Sequence, residues 1–572
     1  MKDWRGLASL FLFCLVAVAF SWPLATDPGG MSVSRQFDLY SMLWLVDAAP
    51  SIDSHLNTTL SGWPLGQRLA HADSFLLLVV ARAGVPGTIL APALALLGPV
   101  VSAWATERLA ARHLGIPWPW SIIAGLSFGF SGLQLTALLE GHLYALLCPW
   151  LPLLAWAWAE STRPGAGMLQ GVLAGLLWVM CLLTSAYTGI VATLLLMAWL
   201  PSLWTSRRRS WRSLLGAAAV ALPLGLLYLL LFVSEGAGER LDVGNTRIDS
   251  QELMAVGSAR LGTFAGWTLG TDFVEHSIAP ILGFTVIALC LFAGPALRGR
   301  SEFRPYVLMS VGGVVLSLGP ELNLLYTHSS SDLNLPWVLS PLTSVDAASF
   351  FHFPTRLAHL AHLGMGVLAA ASAAHLAQRR GHIAHLLLVA VVADVLVFSG
   401  ALLRTARIPL QAPSAYSAAP PGRAVLELLP QFYGDTKEKD LAHYLNNLTC
   451  SYQASHGHPL LNLCLGTRTR SGPRWYVSSW LMGSLLAGED DERGEVLAEL
   501  GIGAVTLRPD LFQAVDRERL AKGLEFSLGA PVAITRDAGE YLLLYEVPAP
   551  LVSVDPALRY EQLRARGPGS TP

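Results

Sequence analysis

Uninterrupted apolar runs recur along this chain, and they constrain its fold more than any other feature. Backbone N–H and C=O groups cannot stay unpaired in hydrocarbon, so apolar runs of about 20 residues cross a bilayer as helices. The sequence offers about eleven such runs. The first extends from Leu7 to about Leu24, behind Lys2 and Arg5. A cleaved signal peptide is an alternative for it, since Ala17-Val18-Ala19 loosely resembles a processing site. The others centre on Ala91 to Ala105, Trp120 to Ala137, Leu143 to Trp158, Leu169 to Thr184, Gly189 to Leu203, Leu214 to Val233, Ile278 to Ala293, Tyr306 to Leu318, Leu357 to Ala374 and Ile383 to Leu402.

Composition agrees with this reading. Of 572 residues, 53% are hydrophobic and only 14% charged, against roughly 25% charged in an ordinary soluble protein. Lys plus Arg is 38 and Asp plus Glu is 40, a net charge of −2, so no basic excess points to a nucleic-acid partner. Six cysteines are too few and too scattered for a disulfide scaffold or a zinc site.

The Lys and Arg residues set the orientation, because cytoplasmic loops retain positive charge. With the N-terminus inside, Arg108 and Arg112, Arg163, Arg207 to Arg209 with Arg212, the set Arg298, Arg300 and Arg304, and Arg379-Arg380 all fall on the cytoplasmic side. The same parity exports a first loop of about 25–74, the stretches around Glu140 to His142 and around Tyr187, the segments 235–277 and 320–356, and everything after about Arg404. In a bacterial inner membrane that side is the periplasm. The expected fold is therefore a polytopic α-helical membrane protein, residues 1–405, with a small C-terminal α/β or α+β soluble domain, residues 423–572. Pro409, Pro413, Pro420 and Pro421 make residues 406–422 an extended linker, so the tail is expected to fold apart from the membrane part. In the tail, Arg423 to Leu428, Ala504 to Leu507 and Gly539 to Val547 read as strands, and Lys437 to Leu448 and Glu492 to Leu500 as helices. A disulfide between Cys450 and Cys464 is one of two open readings, since spacing says nothing of Cα geometry.

Polar residues that interrupt apolar sequence near span ends are the candidates for chemistry. Asp38 opens the apolar segment Phe37 to Leu45; the alternative is a helix N-cap. Glu140-Gly141-His142 joins two spans with almost no loop, and a His there can donate to a phosphate or orient a carboxylate. Phe351-His352-Phe353-Pro354-Thr355-Arg356 opens the tenth span; Arg356 either snorkels to water or grips a phosphate through its planar fork. Asp272, Glu275 and His276 precede the eighth span, but without a trusted metal-ligand spacing. No GxxxxGK[ST], GxSxG, HExxH or paired CxxC signature is present, which disfavours a P-loop ATPase, an elbow-type serine hydrolase and a zincin.

These features together resemble the GT-C superfamily of integral-membrane glycosyltransferases, in particular bacterial members with an exported C-terminal domain. The residues that carry the resemblance are Asp38 with Trp44, Pro64-Leu65-Gly66, Gly141-His142 with Pro149 and Pro152, and Phe353-Pro354-Thr355-Arg356. In the tail they are Leu426 to Pro430, Tyr452 to Pro459 and Leu500-Gly501-Ile502. The resemblance implies transfer of a sugar from a polyprenyl-phosphate carrier to a glycan, lipid or protein acceptor at the outer face of the membrane. Asp38 would be the general base, Arg356 and His142 would hold the donor phosphate, and Glu140, Asp272 and His276 would be accessory. Phe37 stands where better-known members place a second carboxylate, so no cofactor is expected and a divalent metal is a less favoured alternative. The rival is a transporter or lipid-handling scaffold without covalent chemistry. Such a protein usually places ionisable groups in mid-span or repeats its halves, and neither stands out in the sequence.

Overall fold

A computed structural model describes residues 4–22, 37–51, 57–58, 60, 63–64, 67–68, 75–85, 87–139, 149–163, 165–201, 211–230, 281–319, 321–322, 335–336, 354–402, 412–428, 448–450, 452–453, 456–461, 473–487, 492–537 and 540–566. Each apolar run read from the sequence carries a helix. In chain order these are Trp4–Phe20, Gly87–Arg108, Ser121–Gly129 continued by Gly132–Leu139, Trp150–Ser161, Met168–Thr184, Ala186–Ala198, Trp211–Tyr228, Phe284–Leu291, Arg304–Ser317, Ala358–Arg379 and Gly381–Leu402. Among the described residues, three stretches are long and apolar enough to cross a membrane by length and composition: Ser121–Leu138, Trp211–Tyr228 and Pro354–Arg379.

Small residues let these helices approach closely, as they do where lipid removes the hydrophobic driving force between helices. Gly125 and Gly129 lie against Phe13, Pro99 and Ala103, and Gly171 and Gly175 lie against Ser213 and Ala217. A Cβ at any of the four would overlap backbone or side-chain atoms of the neighbouring helix. The outer surface stays apolar: Leu7, Phe11, Leu169, Leu173, Leu222, Leu226, Leu386 and Val389 are exposed. An apolar surface of this extent suits lipid, not water.

One end of the bundle gathers the basic loops. Arg163 lies 2.9 Å from His113 Nδ1 and pairs with Glu160 at 2.7 Å, while Arg300 donates to the Leu114 carbonyl at 2.7 Å. Trp4 meets Trp118 and Trp120 meets His385 at the same end. Just inside it, Glu107 and Arg108 are buried together, with Ser121 Oγ donating to Glu107 at 2.8 Å. The loops that carry Arg112, Arg163 and Arg300 are thus neighbours in space.

The tail carries a four-stranded mixed sheet of β1 (Ala424–Leu428), β2 (Ile502–Leu507), β3 (Ala533–Asp537) and β4 (Glu540–Glu546), ordered β1-β2-β4-β3. β1 and β2 are parallel and the other pairings antiparallel. Side chains alternate between the faces of a strand, and both faces are covered. Leu426, Leu428, Val505, Leu507 and Tyr545 pack under the helices Pro473–Ala487, Arg493–Glu499, Ala514–Leu528 and Pro556–Arg566. Val425, Ala504, Leu542 and Leu544 share a core with Trp44, Leu45, Val46, Leu77 and Leu78, which come from the other side of the Pro-rich stretch. The sheet of the tail thus packs directly on the Phe37–Ala48 and Phe75–Arg82 helices. Part of the stretch read as a linker is itself packed: Ala415 and Tyr416, in the 3-10 turn Ser414–Ala418, are buried in that core. The expected Lys437 to Leu448 helix lies outside the described residues except at its end. Cys450 is disulfide-bonded, and Cys464 lies outside the described residues.

Candidate active site

Arg356 stands in the 3-10 turn Pro354–Leu357 that opens the Ala358–Arg379 helix. Proline suits that first position, since its φ is already fixed and it has no N–H to satisfy. The guanidinium carbon lies 4.4 Å from the centre of the Tyr187 ring, and the residue is only 7% exposed. Snorkelling would leave the charge in water; here it is held against an aromatic ring instead. Tyr187 is fixed in turn, because Ser185 caps the Ala186–Ala198 helix and its Oγ accepts the Tyr187 N–H at 3.2 Å. One turn beyond Arg356, His359 Nδ1 lies 2.8 Å from the Arg356 carbonyl. A carbonyl only accepts, so Nδ1–H is the donor and the tautomer is set. The His359 ring also meets Phe128 edge-on at 6.5 Å.

The result is a planar cation with several N–H donors, oriented by an aromatic face, on a backbone turn that His359 ties down. That chemistry matches a phosphate. The sequence pointed to Arg356; it did not point to Tyr187 or His359 as its companions. A His three residues after an Arg on a helix was the available signal, since such residues share a face.

Asp38 is the second residue of the Phe37–Ala48 helix. Its side chain, and Glu140, His142, Asp272, Glu275 and His276, lie outside the described residues.

Further along the same helix, Trp44 is fully buried and its indole N–H donates to Gln453 Oε1 at 3.2 Å. Trp63 donates through Nε1 to the Leu500 carbonyl at 2.8 Å, and its ring packs on Gly501. The backbones also join, with Leu460 N–H donating to the Leu60 carbonyl at 2.9 Å and Trp63 N–H to the Leu460 carbonyl at 3.1 Å. The motifs singled out in the first loop and in the tail thus meet in one seam.

Behind that seam, Tyr416 stacks on His456 at 4.6 Å, His456 stacks on His458 at 5.4 Å, and the Tyr416 hydroxyl donates to the buried Glu427. Burial, and then the charge of His458, lower the His456 pKa to about 3. Elsewhere, Asp394 interrupts the apolar helix Gly381–Leu402, contrary to the expectation that no mid-span ionisable group stands out. Its Oδ2 accepts the Thr285 N–H at 2.8 Å and so satisfies the start of the Phe284–Leu291 helix.

The fold assembled from these elements is shared with solved glycosyltransferases. The chain superimposes on the mycobacterial arabinofuranosyltransferase AftD with a TM-score of 0.57 and 18% identity, over 97% of this chain and 42% of that one. It also superimposes on the oligosaccharyltransferase AglB of Archaeoglobus fulgidus, solved with an inhibitory peptide and a dolichol-phosphate. That match has a TM-score of 0.50 and 12% identity, over 95% of this chain and 74% of the other. The chain spans about two fifths of the AftD chain. No protein-family model and no curated protein sequence matches it. At these identities the likeness carries the fold, and the chemistry has to be argued from the residues.

Proposed function

We propose that this chain is a membrane glycosyltransferase that moves a sugar from a polyprenyl-phosphate donor to an acceptor at the exported face of a bacterial inner membrane. The observation that carries the reading is Arg356, buried against Tyr187 at the head of a membrane helix. A cation in that position suits an anion brought in by a lipid, because the isoprenoid tail lies among helices while the phosphate stays at their end. The neighbours agree in kind: AglB was solved with a dolichol-phosphate, and AftD is an arabinofuranosyltransferase.

In this mechanism the acceptor heteroatom attacks the anomeric carbon, and the bond from that carbon to the phosphate oxygen breaks. The polyprenyl phosphate leaves with the bonding pair, its charge held by Arg356 and His142. Asp38 takes the acceptor proton, and general-base help of this kind is typically worth about 10²–10⁴ in rate. Glu140, Asp272 and His276 are accessory in this reading. The topology that serves it has about eleven crossings, a cytoplasmic N-terminus and a periplasmic tail.

The rival reading, a transporter or lipid-handling scaffold, draws on Asp394, since an intramembrane acid is often functional. The cap that Asp394 gives to Thr285 accounts for it without transport. Binding of a polyprenyl phosphate to the protein in nanodiscs tests the proposal. Wild type should bind it and Arg356→Ala should bind about 10- to 100-fold more weakly, the range for losing a hydrogen bond to a charged group. Equal binding by both proteins would remove Arg356 from the donor site.

A further inference from the structure

We infer that Gln453 is a positioning residue for transfer: through Trp44 it holds the Phe37–Ala48 helix, and with it Asp38, at the active site. The inference rests on the reading of Asp38 as the base. The helix has 12 residues, and helices this short are marginal in isolation, so tertiary packing has to hold it. Leu43, Trp44, Leu45 and Val46 are all buried. Four consecutive buried residues cover every side of a helix, so partners must enclose it. The Phe75–Arg82 and Gly87–Arg108 helices pack on it from the membrane part. The tail adds Tyr416, Val425, Tyr452, Ala504, Leu542 and Leu544 to the same core.

Within that apolar enclosure the indole N–H of Trp44 is a buried donor that needs an acceptor, and Gln453 Oε1 accepts it. Gln453 has its own support: its carbonyl accepts the Gly457 N–H at 2.7 Å, and nearby Cys450 is disulfide-bonded. The acceptor is thus anchored in the tail and the donor in the helix that carries Asp38. Six residues separate Asp38 from Trp44, a rise of about 9 Å along the helix. A small tilt at Trp44 therefore moves the carboxylate, and misplacement by about 1 Å can cost roughly 10²-fold in turnover.

The experiment uses the full chain in nanodiscs and compares wild type, Gln453→Leu, Trp44→Phe, the double variant and Gln453→Glu. Two readouts are taken: amide hydrogen exchange over residues 39–48, and single-turnover transfer from a polyprenyl-phosphate-linked pentose or hexose. Losing one neutral hydrogen bond should speed exchange over 39–48 by about 2- to 10-fold in either single variant. The double variant should be no worse than the singles, and Gln453→Glu, which keeps a carbonyl acceptor, should recover part of the protection. The single-turnover rate at saturating donor should fall, with the donor concentration that gives half the maximal rate unchanged. Unchanged exchange over 39–48 in Gln453→Leu would overturn the inference, as would equal loss of protection throughout Ile502–Leu507, which would make Gln453 a general prop of the tail. If wild type transfers no sugar, the glycosyltransferase reading falls, and the exchange data still decide whether Gln453 holds the helix.

Discussion

Trp63 lays its indole on Gly501, with Cζ2 only 3.1 Å from the point where a Cβ would stand. Gly501 also has φ +71°, a left-handed conformation that L side chains adopt only with strain. The Trp63 N–H reaches past it to the Leu500 carbonyl. Gly501→Ala should therefore combine backbone strain with a tight contact that pushes the Trp63 ring by a few tenths of an ångström, and destabilise the seam by about 1–3 kcal/mol. Trp63→Phe keeps most of the ring, loses the hydrogen bond and should cost about 0.5–1.5 kcal/mol. Thermal unfolding of the full chain in detergent, followed by tryptophan fluorescence, checks the order. An Ala variant with an unchanged midpoint would remove Gly501 from the account.

Stability should fall as the medium becomes acidic. The His456 pKa is lowered from 6.5 to about 3, chiefly by burial, so between those values the unfolded chain binds a proton that the folded chain does not. By linkage, stability rises with pH across that window and is lost on descending through it. His458 is lowered in the same direction and adds to the effect. The thermal midpoint should drop from pH 7.5 to pH 5, and His456→Phe, which keeps the stack on Tyr416, should flatten part of that drop.

Tyr187 should matter to donor binding although it carries no charge. Its ring orients the Arg356 guanidinium, and a desolvated cation–π contact is worth about 2 kcal/mol. Tyr187→Leu should weaken binding of a polyprenyl phosphate by roughly tenfold or more, Tyr187→Phe much less. Arg356→Lys should recover only part of what Arg356→Ala loses, since an ammonium lacks the planar fork. Titration of a polyprenyl phosphate into each variant in nanodiscs reads the series.

Reporter fusions examine the topology. Fusions after Arg209, Arg300 and Arg380 should report the cytoplasm, and those after Gly236 and Arg404 the exported side. The contacts of Arg163 with His113 and of Arg300 with Leu114 already gather three of the basic loops at one end. A cytoplasmic reporter signal from the C-terminus would reverse the parity.

The helices were legible because their apolar runs are long and each needs only local backbone hydrogen bonds. The strands at Ala424–Leu428, Ile502–Leu507 and Glu540–Glu546 were legible from their β-branched and apolar runs. The Pro473–Ala487, Ala514–Leu528 and Pro556–Arg566 helices and the Ala533–Asp537 strand were not read; Ala514–Leu528 and Pro556–Arg566 are rich in charge, and Pro473–Ala487 is apolar but too short to stand out as a span. Arg356 was visible as a charge at a span end, but its seat on Tyr187 joins positions far apart in the chain, which no local period encodes. The same holds for Trp44 and Gln453, 409 residues apart. The Pro-rich stretch marked where the tail begins; proline reports local stiffness and says nothing of what packs on the sheet beyond it.

The central claim is that Asp38 takes the acceptor proton during sugar transfer. It is tested most directly by single-turnover transfer from a polyprenyl-phosphate-linked sugar in nanodiscs, comparing wild type with Asp38→Asn. The amide keeps size and hydrogen bonding but cannot accept the proton, so the rate should fall by about 10²–10⁴ while donor binding is retained. Undiminished transfer by Asp38→Asn would contradict the account and turn attention to Glu140 or Asp272 as the base.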